Sequence, residues 1–427
     1  MNILKSRLLW LAPLIALLVL MLLATAFYPG YNPKPHKLPI AIVNNDKGMD
    51  MQGNKVNVGE QFVKNIKDNK ELKDKVTWIE VDDKKELNEG FKDQDFYAAV
   101  VFDKDFSKDA MSKGVSILQD AKKEEMLAKV KANEIDKAQL KEMQSKEGAE
   151  PVKVKQGQLT TIVNEGANMQ ASQMTSQILE KLGTKLNDMI TEQTIGLLSK
   201  QDVQVNAKDV NALTNPVKVE KDNINKVSSH QANGNLPFLM FTPLWLTTII
   251  SSVLLFFAFR SSNLIKVSDR IKAMLFQFMM VIGVGLVGGF GYVFYLKHIL
   301  DVNIPNEVEI SFYIATAIIG FISLILGVMS WLGIRSIPIF MVLLFFSLQV
   351  IMLPKEMLPQ FYVDYVLPWN PFRYYVEELR SLLYMHQGLE FNGTIAMFIG
   401  LLTFGFISTL VASIVRKHST KRTEVPS

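Results

Sequence analysis

Cysteine is absent from the 427 residues. Neither a disulfide nor a thiolate metal site is therefore available to this chain. Arginine is absent from one long stretch: between Pro29 and Leu236 there are 31 Lys and no Arg against 32 Asp and Glu, and all eight Arg lie outside it. No G-x-x-x-x-G-K-[ST] run occurs, so the chain carries no phosphate-cradling loop of its own. The five histidines, His36, His230, His298, His386 and His418, are too dispersed for metal-ligand spacing. No nucleophile–base spacing can be argued, and Asp82-Asp83, Glu124-Glu125 and Glu377-Glu378 sit where ordinary surface charge explains them. No catalytic, cofactor or metal site is expected, and no nucleic-acid partner. A literal G-x-G-x-x-G at Gly283, Gly285 and Gly288 lies inside an apolar run without a preceding strand, which excludes the dinucleotide reading. Gly285 and Gly289 read better as a close helix contact.

What the chain does have is apolar length. Leu8 to Tyr28 holds about 20 apolar residues, enough to cross a hydrocarbon core. Ala24-Thr25-Ala26 resembles a cleavage site, but the run is long for a signal peptide and other spans follow, which favours a retained anchor. Five further candidates follow at Pro237–Phe259, Ala273–Leu296, Ser311–Gly333, Ile337–Leu353 and Thr394–Val415. The mid-span regions carry no carboxylate; Gln277 and Gln349 are their main polar side chains. An intramembrane acid would have pointed to proton coupling. Arg260, Lys266, Arg270 and Lys272 follow the second span, Arg335 the fourth, and Arg416, Lys417, Lys421 and Arg422 the last. The segment Lys297–Glu309 is net acidic. The positive-inside rule gives one consistent topology: six spans, both termini cytoplasmic, and residues 29–236 outside a bacterial cell membrane.

The fold class expected is thus a polytopic α-helical membrane protein with a large α+β extracytoplasmic domain between the first and second spans. Its parts are a first helix over 1–28, the external domain over 29–236, and a five-helix membrane domain over 237–427. In the external domain, Leu38–Asn44, Val76–Val81 and Phe96–Phe102 read as strands separated by helical crossovers, a small parallel or mixed sheet. Val115–Lys146 and Leu159–Leu198 read as long helices standing off that sheet. Residues 355–393 mix Trp369 and several Tyr with Arg373 and Arg380. An amphipathic helix from about Pro371 to Tyr384 would rest in the outer leaflet or dip into it, as a plain anchor or as an external gate.

Several of these residues carry a resemblance. The strand ending at Asn44, Asp46 and Gly48, the "VNVGE" helix start containing Gly59, and "YAAVVFDKDFS" ending at Phe106 and Ser107 resemble the N-terminal domain of the YhgE/Pip (phage infection protein) family. "VDYVLPWNPFRYYVEELRSLLY", with Pro368, Pro371, Tyr374, Glu377 and Arg380, is similar to the membrane domain of ABC type 2 exporters. The resemblance implies an export permease, working as a dimer or with a related permease, whose ATP is hydrolysed by a separate subunit. It also implies that Arg260–Lys272 occupies the position of the ATPase-coupling element. The resemblance does not fix the cargo; the cargo expected here is amphipathic: a lipid, an antimicrobial peptide or drug, or a cell-envelope precursor. Membrane lipid is the other expected partner. The rival expectation is a surface scaffold or secretion-system accessory that phages can adopt as a receptor.

Overall fold

The computed structural model describes residues 35–51, 54–132, 152–260, 264 and 266–416, together with Leu17 and Met21. The proposed first span therefore lies outside the described residues, apart from two exposed helical positions. The chain divides into two units: Pro35–Glu165 with Gln170–Ile224, and Met1–Lys34, Gly166–Met169 and Asn225–Ser427.

The first of these is an α/β unit. Strands β1 (Leu38–Asn44), β4 (Val76–Glu80), β5 (Ala98–Phe102), β6 (Gly157–Asn164) and β7 (Val217–Ile224) form one sheet in the order β4-β1-β5-β6-β7; β2 (Met49–Met51) and β3 (Asn54–Val56) make a separate hairpin. β1 pairs in parallel with β4 and β5, β5 is antiparallel to β6, and β6 is parallel to β7. β1 is apolar on both faces, as a central strand covered on both sides must be. Ile40 and Ile42 pack beneath α1 (Val58–Asp68), with its buried Val58, Phe62, Val63 and Ile66. Ala41 and Val43 point to the opposite layer, where α2 (Lys84–Lys92) supplies Leu87 and Phe91. Asn57 caps α1 by accepting from Glu60 N at 2.8 Å, and Asp83 caps α2.

Two expectations are corrected here. Residues from Leu159 onward do not begin a helix: Gly157–Asn164 is strand β6. Its Thr160, Thr161, Ile162 and Val163 are β-branched, and pairing with β5 and β7 outweighs the accidental helical spacing. The helix begins at Met169. Nor does it stand off the sheet. α5 (Met169–Lys200) lays Leu179, Leu182, Leu186 and Ile190 on the same core as Ile40, Val100 and Phe102. Of the other long helix, α4 (Ser112–Lys131), following the short α3 (Phe106–Ala110), only the first half has buried positions.

The second unit is helical. Among the described residues four stretches are long and apolar enough to cross a membrane: Leu236–Phe259, Val267–His298, Glu307–Met352 and Gly393–Val415. They belong to helices α6 (Leu236–Arg260), α7 (Val267–His298), α8 (Glu307–Leu332), α9 (Ile337–Met352) and α11 (Gly393–Val415); α10 (Pro371–Tyr384) lies between the last two. The 46-residue stretch would measure roughly 69 Å as one straight helix, more than twice a hydrocarbon core. It breaks at Gly333, whose φ of 63° and ψ of −150° no helical residue adopts. α8 is the axis of this unit, with 15 buried positions, and its neighbours reach it through glycine. A Cβ on Gly289 of α7 would lie 2.7 Å from Ala315 Cβ, and Gly285 would strike Ile319. The Gly285/Gly289 spacing is therefore a helix contact, and Gly283, Gly285 and Gly288 all lie inside α7.

Candidate functional site

The residues that carry the N-terminal resemblance converge. β1 and β5 run in parallel and end together, Asn44 opposite Phe102. The loop after β1 is stitched to the loop after β5 by Asn45 N to Phe102 O at 3.2 Å and Lys47 N to Lys104 O at 3.0 Å. Asp46 turns inward beneath them and is 8% exposed. Its Oδ1 accepts from Gly48 N at 3.1 Å and Ser107 N at 3.0 Å. Its Oδ2 accepts from Gly59 N at 3.1 Å and from the Ser107 hydroxyl. Ser107 Oγ in turn accepts from Val58 N at 2.7 Å, and Asn57 Nδ2 donates to Asp46 O at 3.0 Å. The carboxylate thus occupies the N-terminus of α1, where the helix dipole and free N–H groups favour an anion.

This knot explains its own sequence. Gly48 has φ +71° and Val56 O 2.7 Å from where a Cβ would stand; a Cβ on Gly59 would crowd both Asn44 Oδ1 and Asp46 Oδ2 at 3.0 Å. Phe106 is fully buried and stacks edge-on with Phe102 at 5.0 Å. With every lobe of the carboxylate engaged by donors from three loops, the motif holds those loops together. Asn57, which sequence reasoning passed over, joins the knot by its side-chain amide; its place one residue before the helix was the available signal.

Above the knot lies a polar concavity of about 490 Å³, lined by Lys47, Asp103, Lys104, Asp105, Asp109 and Gln158 among others. It sits where the chain leaves β1 toward β4 on one side and returns to β5 on the other. Such a switch point at the carboxyl ends of parallel strands is where open α/β sheets place ligands. None of its two lysines and three aspartates forms an ion pair with a described residue.

In the helical unit, α10 is a packed helix rather than one resting on a surface: ten of its fourteen residues are buried. Asn370 caps it, accepting from Phe372 N at 3.0 Å, while its Nδ2 donates to Ser347 Oγ of α9 at 2.7 Å. Pro371 follows at the first helical position, where a missing N–H costs nothing. Phe372 and Tyr375 enter an aromatic cluster with Phe241 and Trp245 of α6 and Phe321 of α8, at centroid distances of 4.4–6.4 Å. Tyr374 OH donates to Pro368 O at 2.8 Å, Arg373 Nε to Glu377 Oε1 at 2.6 Å, and Arg380 is 8% exposed. Burial pushes the Glu378 carboxyl above the usual carboxylate range, against the pull of a hydrogen bond from Asn392. The exposed aromatics of residues 355–393 are instead Phe361, Tyr365, Trp369 and Phe391, which suit a headgroup-level belt.

Two fully buried polar atoms in this cluster, Trp245 Nε1 and Tyr375 OH, have no hydrogen-bond partner among the described residues, whereas Tyr313 OH donates to Tyr375 O at 2.8 Å. Tyr313→Phe is accordingly expected to lower stability by about 1 kcal/mol, and Tyr375→Phe to leave it unchanged or raise it. Thermal unfolding of the two variants in one detergent measures the contrast; equal losses would contradict it.

The expected coupling segment is shorter than its sequence suggested, because α7 begins at Val267 and takes in Arg270 and Lys272. Lys266 stands at its N-cap, and the side chain of Arg260 lies outside the described residues. Arg270 is tied to another helix end. Its Nη1 donates to Arg416 O, at the end of α11, at 2.6 Å. Gln277 Nε2 reaches Leu255 O at 3.3 Å, tying α7 to α6, and Gln349 is buried in α9.

Comparison with known proteins bears on nearly the whole chain. The family model described as ABC-2 family transporter protein matches residues 6–419. The uncharacterized protein YhgE of Bacillus subtilis (strain 168) is 33% identical over 107 residues, covering 23% of this chain and 13% of that protein. The match therefore spans only a small part of that relative's length. No solved structure matches.

Proposed function

From the premise that this chain belongs to the ABC-2 family of transporter proteins, we propose that it is the permease of an exporter that moves an amphipathic cargo outward. It is a multi-pass membrane protein of YhgE-like relationship. The match over residues 6–419 carries the reading, because it takes in the α/β unit and every apolar helix together. Since no ATP-binding motif occurs in the sequence, ATP hydrolysis falls to a separate subunit, and the α6–α7 connection at Lys266 is the surface that meets it. The chain makes six spans, counting the apolar run from Leu8 and both halves of Glu307–Met352, with cytoplasmic termini and residues 29–236 outside. It works as a dimer or beside a related permease.

In this reading α10 is the external gate. A helix whose aromatic side chains fill the middle of the bundle closes any path along α6 and α8, and leaves Trp245 Nε1 and Tyr375 OH as donors that an open, hydrated path would satisfy. Its cap to Ser347 is the hinge contact. The cargo is a lipid, an antimicrobial peptide or drug, or a cell-envelope precursor, and the crevice between the β1 and β5 loops meets its polar end.

Two measurements test this. Purification from native membranes after light crosslinking should bring down a stoichiometric nucleotide-binding subunit; a reproducible set of envelope proteins without one would overturn the exporter reading. The absence of native cysteine also permits a clean lock. A Ser347→Cys/Asn370→Cys pair, oxidised, should stop efflux of a fluorescent amphiphile, and reductant should restore it. Undiminished efflux from the oxidised protein would remove α10 as a gate.

A further inference from the structure

The two ends of the helical unit treat their charges differently. At the end where α7 finishes and α8 begins, Lys297 Nζ lies 3.2 Å from Glu307 Oε2, and His298 Nε2 lies 3.1 Å from Glu307 Oε1. The cations Lys355 and Arg373 have acidic partners too, at 3.9 and 2.6 Å. At the other end stand Lys266, Arg270, Lys272, Arg335 and Arg416, and none forms an ion pair with any described residue. Asp269 is the acid nearest in sequence to the first three.

Two of these arginines are held by backbone rather than by carboxylate. Arg270 Nη1 donates to Arg416 O, the carbonyl closing α11, at 2.6 Å; Arg416 Nη1 donates to Ser330 O in the last turn of α8. Each thus caps a helix C-terminus, whose partial negative charge favours a cation there. The caps use one donor of each side chain. A guanidinium has five; Arg270 Nε, sealed from solvent, has no acceptor among the described residues and is closed to an outside ligand, so the donors left for one are those on the Nη atoms. Several donors of a fixed planar fork are left over, the geometry that binds a phosphate by two parallel hydrogen bonds.

Beside this fork the surface is apolar. Trp331, Leu332, Ile414 and Val415, at the ends of the two capped helices, are 40–62% exposed. An acidic protein segment would answer the charge but leave this rim in water. A molecule with a phosphate head and acyl chains answers both at once.

We propose that Arg270 and Arg416 form a binding site for the phosphate of an anionic phospholipid at this membrane surface, with the acyl chains against the ends of α8 and α11. The site requires only that the chain crosses the membrane, and stands whether or not an ATPase drives transport. The shared chemistry with free phosphate is the dianionic or monoanionic oxygen fork; the acyl chains distinguish the lipid.

The test uses the full chain in detergent, with native mass spectrometry counting retained lipid during titration with phosphatidylglycerol or phosphatidylcholine of identical acyl chains. Phosphatidylglycerol should be held about tenfold more tightly, because the choline ammonium of phosphatidylcholine offsets the charge of the same phosphate and is repelled by the guanidinium groups. An Arg270→Gln/Arg416→Gln variant should bring that ratio to about one, while Lys297→Gln leaves it intact. Since the glutamines also weaken two helix caps, Arg270→Lys/Arg416→Lys provides a variant that keeps charge but loses the fork. It should keep most of the preference while holding both lipids more weakly, and its thermal unfolding reports whether the bundle has formed. Equal retention of both lipids by the unaltered protein, or an unchanged ratio in a folded glutamine variant, overturns the proposal. Full competition by millimolar inorganic phosphate would assign the site to free phosphate instead. A glutamine variant that keeps its lipid ratio but loses a co-purifying protein would assign the cations to an acidic partner.

Discussion

Asp46→Ala is expected to unfold the α/β unit at ordinary temperature while leaving the helical unit assembled. The substitution strands three backbone N–H groups, of half-buried Gly48 and of buried Gly59 and Ser107, and the buried Ser107 hydroxyl. Removing one side of a buried, charge-assisted network costs about 3–5 kcal/mol, because the remaining donors are left desolvated and unpaired. That is a large part of the stability of a domain of this kind. Asp46→Asn should cost less: one amide oxygen still accepts, but its NH2 faces Gly59 N or the serine. Ser107→Ala should cost less again, since the carboxylate keeps its three backbone donors. Limited proteolysis of the full chain, read by cleavage within residues 35–224, orders the three variants. A protease-resistant Asp46→Ala protein would mean that the loops after β1 and β5 are held by something other than this carboxylate.

The second large effect belongs to the helical unit. Gly405→Leu should prevent α11 from seating on α8, because even the first added carbon would fall on the carbonyl of Ser323. Gly327 stands opposite, 2.8 Å from a Cβ position to Gly405 Cα, so the two backbones cross at a glycine pair with no room to yield. Overpacking against flexible side chains typically costs about 1–3 kcal/mol, and a backbone obstruction costs more. The contact also carries Ser408 Oγ to Gly327 O at 2.8 Å and Trp331 Nε1 to Ser408 Oγ at 3.0 Å, which would be lost together. Gly400 lies on the same helix with nothing within 4 Å of an added carbon. Gly400→Leu is therefore the matched control and should elute and melt like the unaltered protein. If both variants remain monodisperse with equal melting temperatures, the α8–α11 crossing is not what the glycine pair indicates.

Much of this was legible in the residues. β1 occupies Leu38–Asn44 because an unbroken apolar, β-branched run closed by Asn-Asn-Asp has no other comfortable conformation. The apolar helices of the second unit lie within a few residues of their hydropathy limits, since lipid-compatible length is a property of composition alone. The signature residues Asn44, Asp46, Gly48, Gly59, Phe106 and Ser107 could be picked out, but not their purpose. Asp46 and Ser107 are sixty-one positions apart, and nothing local says that one caps the helix for the other.

Where sequence reading failed, a neighbour distant in the chain had the deciding vote. Leu159–Asn164 has spacing that fits a helix, yet it is a strand, since β5 offers it an edge. α10 has the amphipathic pattern of a surface helix, and its polar positions Ser381 and Arg380 are buried all the same, because α6, α8 and α9 close around it. Arg270 looked like one more basic residue of a loop until the end of α11 came within 2.6 Å. By itself the sequence determined membrane crossing, the separation of an arginine-free α/β region from arginine-bearing apolar helices, and the absence of ATP and metal motifs, because length, charge and hydropathy act locally. Tertiary structure alone decided that a carboxylate serves as the helix-capping knot, that glycines set the helix crossings, and that two arginines cap the ends of other helices. Those depend on which backbones approach within a few ångströms, and no short stretch of chain encodes that.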